Sequence, residues 1–188
     1  MMKIDGLSNN VDQVAALLVS GKLVVLRTDT IYGILARADD QVAVENLHVV
    51  RNREPGKAFI VLIPVADAAY GADAAKVNEA YARYNPIRPT SVVIEDSNAP
   101  QYLQHRDGSL AYRMPQVDAL QRLLAKTGPL VAPSANPAGL AFSRSIAEAE
   151  AYFGDQIAAY VDDGVTPDDQ KPSNVVKVAL DGTITKIR

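Results

Sequence analysis

One run of cations in this sequence has the residue types needed to bind phosphate. Arg51 and Arg53 end a predicted helix, and Lys57 follows shortly after them. Arginine offers a planar fork to phosphate oxygens and lysine a mobile point charge, so the three together could hold a polyphosphate. Cations in a last helical turn also complement the helix dipole without any ligand. Taken alone, the run leaves phosphate binding and helix stabilisation both open.

Two further polar motifs each follow a predicted buried strand, where ligands commonly bind in α/β sheets. In the first, the hydroxyls of Thr30 and Tyr32 could orient a small polar ligand, and Gly33 is expected to allow a backbone turn. In the second, Ser134 and Asn136 are two residues apart, which places both side chains on one face of extended backbone. An ordinary turn, in which such side chains bond their own backbone, is the alternative for both motifs, and for the first motif taken alone it is the favoured one.

Arg113 is a separate candidate because it lies in a short predicted strand. A charged residue in a buried strand is costly unless it is paired or faces a ligand. A structural salt bridge and a ligand carboxylate are therefore equal explanations.

Composition narrows the chemistry. The 188 residues, 48% apolar and 22% charged, predict one domain over residues 1–188. The absence of cysteine excludes disulfides and thiolate chemistry, and two histidines without a metal-binding spacing predict no protein-ligated metal. Phosphate-loop, dinucleotide-binding and nucleophile-elbow motifs are absent from the sequence. No apolar run predicts a membrane span or signal peptide, so a cytoplasmic protein is expected, and the net charge of −3 favours a small-molecule partner over nucleic acid.

The elements that must position these motifs alternate in period. Helices are predicted near 10–20, 41–51, 72–84 and 116–126 and from Ser145, whose spacing to Glu148 is that of a capping box. Strands are predicted near 23–26, 59–63, 92–95, 111–113 and 130–132, and Asp181-Gly182 predicts a C-terminal hairpin. The pattern is that of an α/β fold with a mixed sheet.

Taken in order, the motifs resemble those of the YrdC family. The matching segments are Thr28-Asp29-Thr30-Ile31-Tyr32-Gly33, Arg51-Asn52-Arg53, Tyr112-Arg113-Met114-Pro115, Ala132-Pro133-Ser134-Ala135-Asn136 and Ser173-Asn174-Val175. The resemblance implies a twisted parallel and antiparallel sheet with flanking helices around a large concave groove. It also implies an L-threonylcarbamoyladenylate synthase, which forms threonylcarbamoyl-AMP and pyrophosphate from ATP with Mg²⁺, L-threonine and bicarbonate or CO2, for tRNA modification by a downstream transferase.

Residue by residue, the resemblance implies three groups in the groove. Arg51, Arg53 and Lys57 would bind the ATP phosphates, and Thr90, Ser134, Asn136, Arg144, Ser173 and Arg188 would line the nucleotide side. Thr30, Tyr32, Leu62 and Arg113 would hold threonine.

Departures from the family pattern keep two alternatives open. The family's usual lysine is Arg51, its next proline is Glu54, and Ile87 replaces a glycine in a Pro-Gly-Pro segment. Because arginine and lysine differ in reach and geometry, an adenylating enzyme with another acyl substrate is one alternative. A YrdC-like module that binds double-stranded RNA or tRNA through a basic groove is the other.

Overall fold

A mixed β-sheet is the framework of the described residues, which are 1–53 and 59–188 in this computed structural model. The strands within them are Met2–Asp5 (β1), Val24–Arg27 (β2), Tyr32–Arg37 (β3), Ile60–Leu62 (β4), Thr90–Glu95 (β5), Ser109–Arg113 (β6), Leu130–Val131 (β7), Ala159–Asp162 (β8), Asn174–Val178 (β9) and Ile184–Lys186 (β10). The helices are Val11–Val19 (α1), Gln41–Val50 (α2), Ala74–Tyr84 (α3), Asp118–Thr127 (α4) and Ile146–Phe153 (α5), with short 3₁₀ turns at Ala66–Ala68, Gln101–Leu103 and Gly154–Gln156.

The strand order is β1-β8-β2-β3-β7-β4-β6-β5-β9-β10. Parallel pairs such as β4 with β6 and β5 with β9 alternate with antiparallel pairs such as β2 with β3 and β5 with β6. Helices flank this sheet, so the predicted α/β architecture with a mixed sheet is confirmed.

Each face of the sheet has its own apolar core. Side chains alternate across a strand, so Val24 and Leu26 of β2 pack in one cluster while Val25 packs in the other. The first cluster includes apolar residues of α1 and α4, and the second those of α2, α3 and α5. Burial on both faces explains why the β2 sequence is a continuous apolar run.

Local signals predicted several elements well. The Ser145 hydroxyl accepts from the Glu148 N–H at 3.3 Å and so caps α5, as the capping-box spacing predicts. The predicted hairpin is formed by β9 and β10, and Gly182 has a φ of 84° in its turn. In the part of the chain that the structure describes, no helix is both long and apolar enough to cross a membrane.

The role predicted for Gly33 is wrong. Gly33 lies inside β3 and has no positive φ; it is not a turn residue. A Cβ at this position would lie 3.0 Å from the carbonyl oxygen of Pro133. The glycine therefore serves close approach between β3 and the loop after β7, which carries Ser134.

Asp96 organises the turn after β5. Its carboxylate is buried and accepts from the N–H groups of Gly71, Ala72, Asn98 and Ala99 and from the Tyr112 hydroxyl at 2.6 Å. These bonds join the loop before α3 to β6 and to the segment after β5. Asp96 is therefore a structural carboxylate, because its oxygens are occupied by protein donors.

Asp96→Ala is expected to lower the free energy of unfolding by about 3–5 kcal/mol, because it leaves several buried donors unsatisfied. Chemical denaturation of both proteins measures the loss. Asp118→Ala is the matched control, since the Asp118 side chain is 86% exposed in a surface ion pair, and its expected cost is below about 0.5 kcal/mol. Equal losses in the two variants would contradict the structural role of Asp96.

Candidate functional site

Most of the predicted site residues line one groove, whose volume is about 1080 Å³. This volume is at the upper end for small-molecule sites, large enough for two substrates side by side. The described residues that line it include the cations Arg51, Arg53, Arg106, Arg113, Lys177 and Arg188, against the single acid Asp107. The groove is thus cationic although the whole chain carries a net charge of −3.

The end of α2 directs two arginines into the groove. Asn52 has a φ of 49°, in the left-handed region that asparagine tolerates better than most residues. Its N–H donates to the Val49 carbonyl at 2.9 Å, and the Arg53 N–H donates to the His48 carbonyl at 3.0 Å. These two bonds are those of a Schellman cap. The cap reverses the chain between Arg51 and Arg53, and both line the groove.

Arg51 binds the loop after β7. Its Nε donates to the Asn136 carbonyl at 3.0 Å, and its Nη2 contacts Ser134 Oγ at 3.3 Å and Asn136 Oδ1 at 3.4 Å. All three partners are neutral oxygens, and Arg51 is 4% exposed. Burial, followed by the charge of Arg53, lowers the pKa of Arg51 to about 10. A bound anion would raise the pKa of Arg51 again, because a nearby negative charge favours the charged form of the guanidinium.

Asn136 mainly shapes its own loop. Its Nδ2 donates to the carbonyls of Pro137 and Leu140, at 3.0 and 2.8 Å. Ser134 Oγ accepts from Arg51, and its hydroxyl hydrogen can point to a ligand. Ser134 is therefore better placed than Asn136 to contact a substrate.

Arg53 lies over an aromatic ring that sequence reasoning missed. Its guanidinium carbon is 5.0 Å from the centroid of Phe59, and the other partner of that ring is His48, stacked at 4.3 Å between centroids. Burial, ahead of the charge of Arg53, lowers the pKa of His48, which favours its neutral form beside these cations. Phe59 thus helps to fix the position of Arg53.

Phe59→Leu is expected to weaken phosphate binding in the groove about 3- to 10-fold, because it keeps an apolar side chain and removes a cation–π contact of about 0.5–2 kcal/mol. Calorimetric titration with inorganic pyrophosphate measures the change. Phe153→Leu is the control, because Phe153 is also buried but lies outside the groove lining. An affinity that changes equally in both variants would contradict this role of Phe59.

A second part of the groove is built around Arg113. Its Nε lies 3.1 Å from Asp29 Oδ1, and the two side chains are 4% and 7% exposed. Its Nη2 donates to Thr28 Oγ1 at 3.3 Å, and that hydroxyl donates to the Ile31 carbonyl at 2.9 Å. The Thr30 hydroxyl is 3.1 Å from that of Thr28. Both explanations left open for Arg113 therefore find support, since it is ion-paired and also lines the groove.

The Tyr32 hydroxyl has a structural task. It donates to the Gly164 carbonyl at 2.7 Å and accepts from the Asp163 N–H at 3.1 Å. Burial raises the pKa of Tyr32 to about 12, so the hydroxyl keeps its proton and remains a donor. Arg144 also holds this loop, by donating to the Thr166 carbonyl at 2.7 Å and pairing with Asp168.

The structure brings nine of the thirteen predicted site residues to one groove. They are Thr30, Tyr32, Arg51, Arg53, Arg113, Ser134, Asn136, Ser173 and Arg188. Lys57 lies outside the described residues.

Three predicted residues lie elsewhere than in the groove lining. Leu62 is fully buried in the core that includes α1 and α4. Thr90 is also fully buried, and its hydroxyl donates to the Arg88 carbonyl at 2.8 Å. Arg144 is outside the groove lining and contacts Thr166 and Asp168 instead.

Sequence reasoning also missed the wall made by the turn before β6 and by β9. His105, Arg106, Asp107 and Lys177 line the groove there, and Lys177 pairs with Asp107 at 2.9 Å. Burial is the main cause that lowers the pKa of His105, and the charge of Arg53 adds to it. Only the tight His105–Gly108 turn could have marked this wall, and turns are common without function.

Within residues 1–53 and 59–188, no group of three or more histidine, aspartate or glutamate side chains could hold a metal ion.

Known proteins share both the sequence and the fold. Residues 16–188 match the model of the Sua5/YciO/YrdC family, described as "Telomere recombination". The threonylcarbamoyl-AMP synthase of Pseudoalteromonas translucida is 31% identical over 176 residues, which cover 89% of this chain and 91% of that protein.

Solved structures extend the likeness to the fold. The crystal structure of P. abyssi Sua5 complexed with L-threonine has a TM-score of 0.87 at 22% identity and covers all of this chain, which spans 57% of that longer chain. E. coli YciO has a TM-score of 0.80 at 20% identity, with 100% of this chain and 93% of that chain covered. With a family model matched over most of its length, the chain belongs to the Sua5/YciO/YrdC family.

Proposed function

We propose that this protein is an L-threonylcarbamoyladenylate synthase, which converts ATP, L-threonine and bicarbonate or CO2 to threonylcarbamoyl-AMP and pyrophosphate. Curated relatives named threonylcarbamoyl-AMP synthase at about 30% identity over most of the chain support an enzyme of this class. The product would supply a separate transferase that modifies tRNA.

One observation carries the proposal: two cationic groups of different character lie in one groove. Arg51 and Arg53 lie beside Ser134, where Arg51 has neutral partners and suits a polyphosphate. Arg113 lies with Thr28 and Thr30, where an arginine fork and hydroxyls suit the carboxylate and side chain of a small amino acid. The groove is large enough for both ligands at once.

In the proposed reaction, the threonine amine captures CO2 as a carbamate, and a carbamate oxygen attacks the α-phosphorus of ATP. The bond between the α-phosphorus and the bridging oxygen breaks, and pyrophosphate leaves with that electron pair. Arg113 and Thr30 hold the amino acid, while Arg51, Arg53 and Ser134 stabilise the developing phosphate charge. Positioning and electrostatics supply the catalysis, without a covalent enzyme intermediate.

Mg²⁺ enters this proposal as part of the ATP substrate. Its ligands would be phosphate oxygens and water, which is usual for nucleotide-bound magnesium.

The test is pyrophosphate release from ATP by the purified protein, with L-threonine and bicarbonate each present or omitted. Release that requires both is the expected result. Release that is indifferent to threonine, or none at all, would overturn the proposal. Replacing threonine by serine, valine, allothreonine and glycine in the same assay distinguishes an enzyme with another acyl specificity.

A second candidate, RNA binding, is favoured by the excess of cations along the groove. An RNA-binding groove would bind a double-stranded RNA or tRNA with an affinity that falls steeply as salt rises. Filter binding at 50 and 200 mM salt, with and without saturating ATP, tests it. Affinity that ATP leaves unchanged would place RNA outside the groove.

A further inference from the structure

We propose that Asp29 is a specificity-determining residue, which neutralises Arg113 so that this end of the groove accepts the single carboxylate of an amino acid and rejects phosphate. The inference rests on the proposed function, because it concerns how the two ligands are assigned to their ends of the groove. Asp29 is a positioning residue here, since it acts through Arg113.

Asp29 lies close to Arg113 but outside the groove lining. Its carboxylate is 7% exposed and lies 3.1 Å from Arg113 Nε, while Arg113 lines the groove and Asp29 is absent from its lining. Asp29 therefore lies behind the guanidinium, on the side away from the ligand. Asp29 through its charge and Thr28 through its contact with Nη2 hold the guanidinium, which lines the groove.

Arg51 and Arg113 differ in the charge of their partners. Both arginines are 4% exposed, yet the hydrogen-bond partners of Arg51 within the described residues are the neutral oxygens of Ser134 and Asn136. Its Nη1 is buried without a hydrogen-bond partner in that same part of the chain. Among the described residues, one arginine of the groove thus has neutral partners, and another is paired with a carboxylate.

Phosphate and an amino acid differ in charge. A phosphate group carries up to two negative charges near neutral pH, so a carboxylate behind the arginine repels it more strongly than it repels a carboxylate ligand. An amino acid is a zwitterion, and its ammonium group is not repelled by a neutral Arg113–Asp29 pair. The pair therefore keeps the hydrogen-bonding fork for a carboxylate and removes the net attraction for a polyanion.

The experiment measures the dissociation constant of L-threonine calorimetrically, alone and at several concentrations of inorganic phosphate, and derives from these titrations the inhibition constant of phosphate. This constant is corrected for threonine affinity, so weaker threonine binding does not by itself change it. In Asp29→Asn, threonine affinity is expected to fall about tenfold because the guanidinium is held less firmly, and the inhibition constant of phosphate is expected to be at least tenfold lower than in wild type. Phosphate competition that is unchanged or weaker in this variant would overturn the inference.

Two further variants separate charge from geometry. Thr28→Val removes a contact of Arg113 without changing charge, and Asp29→Glu keeps the charge but displaces it by one methylene. Both variants are expected to lower the affinity for threonine without lowering the inhibition constant of phosphate, and a lower constant in either would show that charge is not the cause. Asp29→Glu also keeps the inference testable if Asp29→Asn does not fold, which its thermal transition shows.

The binding assay does not depend on turnover. If wild type binds threonine but releases no pyrophosphate, the proposed function fails while the assignment of Asp29 is still decided by the competition. If wild type does not bind threonine, this inference fails.

Discussion

Arg51→Ala is expected to lower kcat/KM for ATP by about 10²–10³-fold, the effect of removing one preorganised charge donor from a desolvated site. Arg51 is nearly fully buried and lines the groove with neutral oxygens as its hydrogen-bond partners among the described residues, so its interaction with phosphate is weakly screened. The measurement is threonine-dependent pyrophosphate release with varied ATP.

Arg51→Lys tests the positive charge of this residue separately from the planar fork of its guanidinium group. The lysine keeps the positive charge but cannot bond Asn136 and Ser134 together, so an intermediate loss of about tenfold is expected. Arg122→Ala is the matched control, since the Arg122 side chain is 49% exposed in a surface pair outside the groove, and its kinetics should equal those of wild type. Full activity in Arg51→Ala would exclude Arg51 from phosphate binding.

Arg113→Met is expected to raise the KM for L-threonine by about 10- to 100-fold, through loss of a charge-assisted bond worth about 1.5–3 kcal/mol. The same change leaves Asp29 buried without its cation, so the free energy of unfolding should fall by about 3–5 kcal/mol. Kinetics with varied threonine and denaturant unfolding measure the two losses.

A double variant distinguishes the effect of Arg113 on protein stability from its effect on threonine binding. Replacing a buried ion pair by apolar residues is often neutral, so Asp29→Leu combined with Arg113→Met should recover most of the lost stability. Its threonine KM should nevertheless stay as high as in Arg113→Met. Recovery of threonine binding together with stability would show that Arg113 acts only as a scaffold residue.

Local patterns predicted most elements, and non-local pairing accounts for two of the three missed strands. The buried run at β2, the capping box of Ser145 and the Asp181-Gly182 turn are each encoded within a few residues. β1 and β8 were missed because each is four residues long and takes its partners from distant segments. β3 was missed because it begins at Tyr32, inside the motif that was predicted as a loop. The strand order has the same cause, since register and neighbours are fixed by contacts far apart in sequence.

Some residues of the candidate site could be predicted from the sequence, and others could not. Arg51, Arg53, Ser134 and Arg113 were predicted because their chemistry is unusual at the positions they occupy. Phe59 was not, because an apolar residue at the start of a strand predicts core, and its contact with Arg53 exists only after folding. Leu62 was placed in the groove by resemblance. It shares a face of β4 with the groove-lining Ile60, but it is fully buried in the core that includes α1 and α4.

The Schellman cap at Asn52 makes the length of α2 a determinant of the groove's charge. Asp40 caps the start of α2 and Asn52 ends it, so the number of residues between them sets the direction in which the chain leaves the helix. Each residue turns a helix by about 100°, so deleting one would rotate Arg51 and Arg53 out of the groove together. Substitutions can adjust these two arginines separately, but insertions and deletions in α2 act on them as a unit.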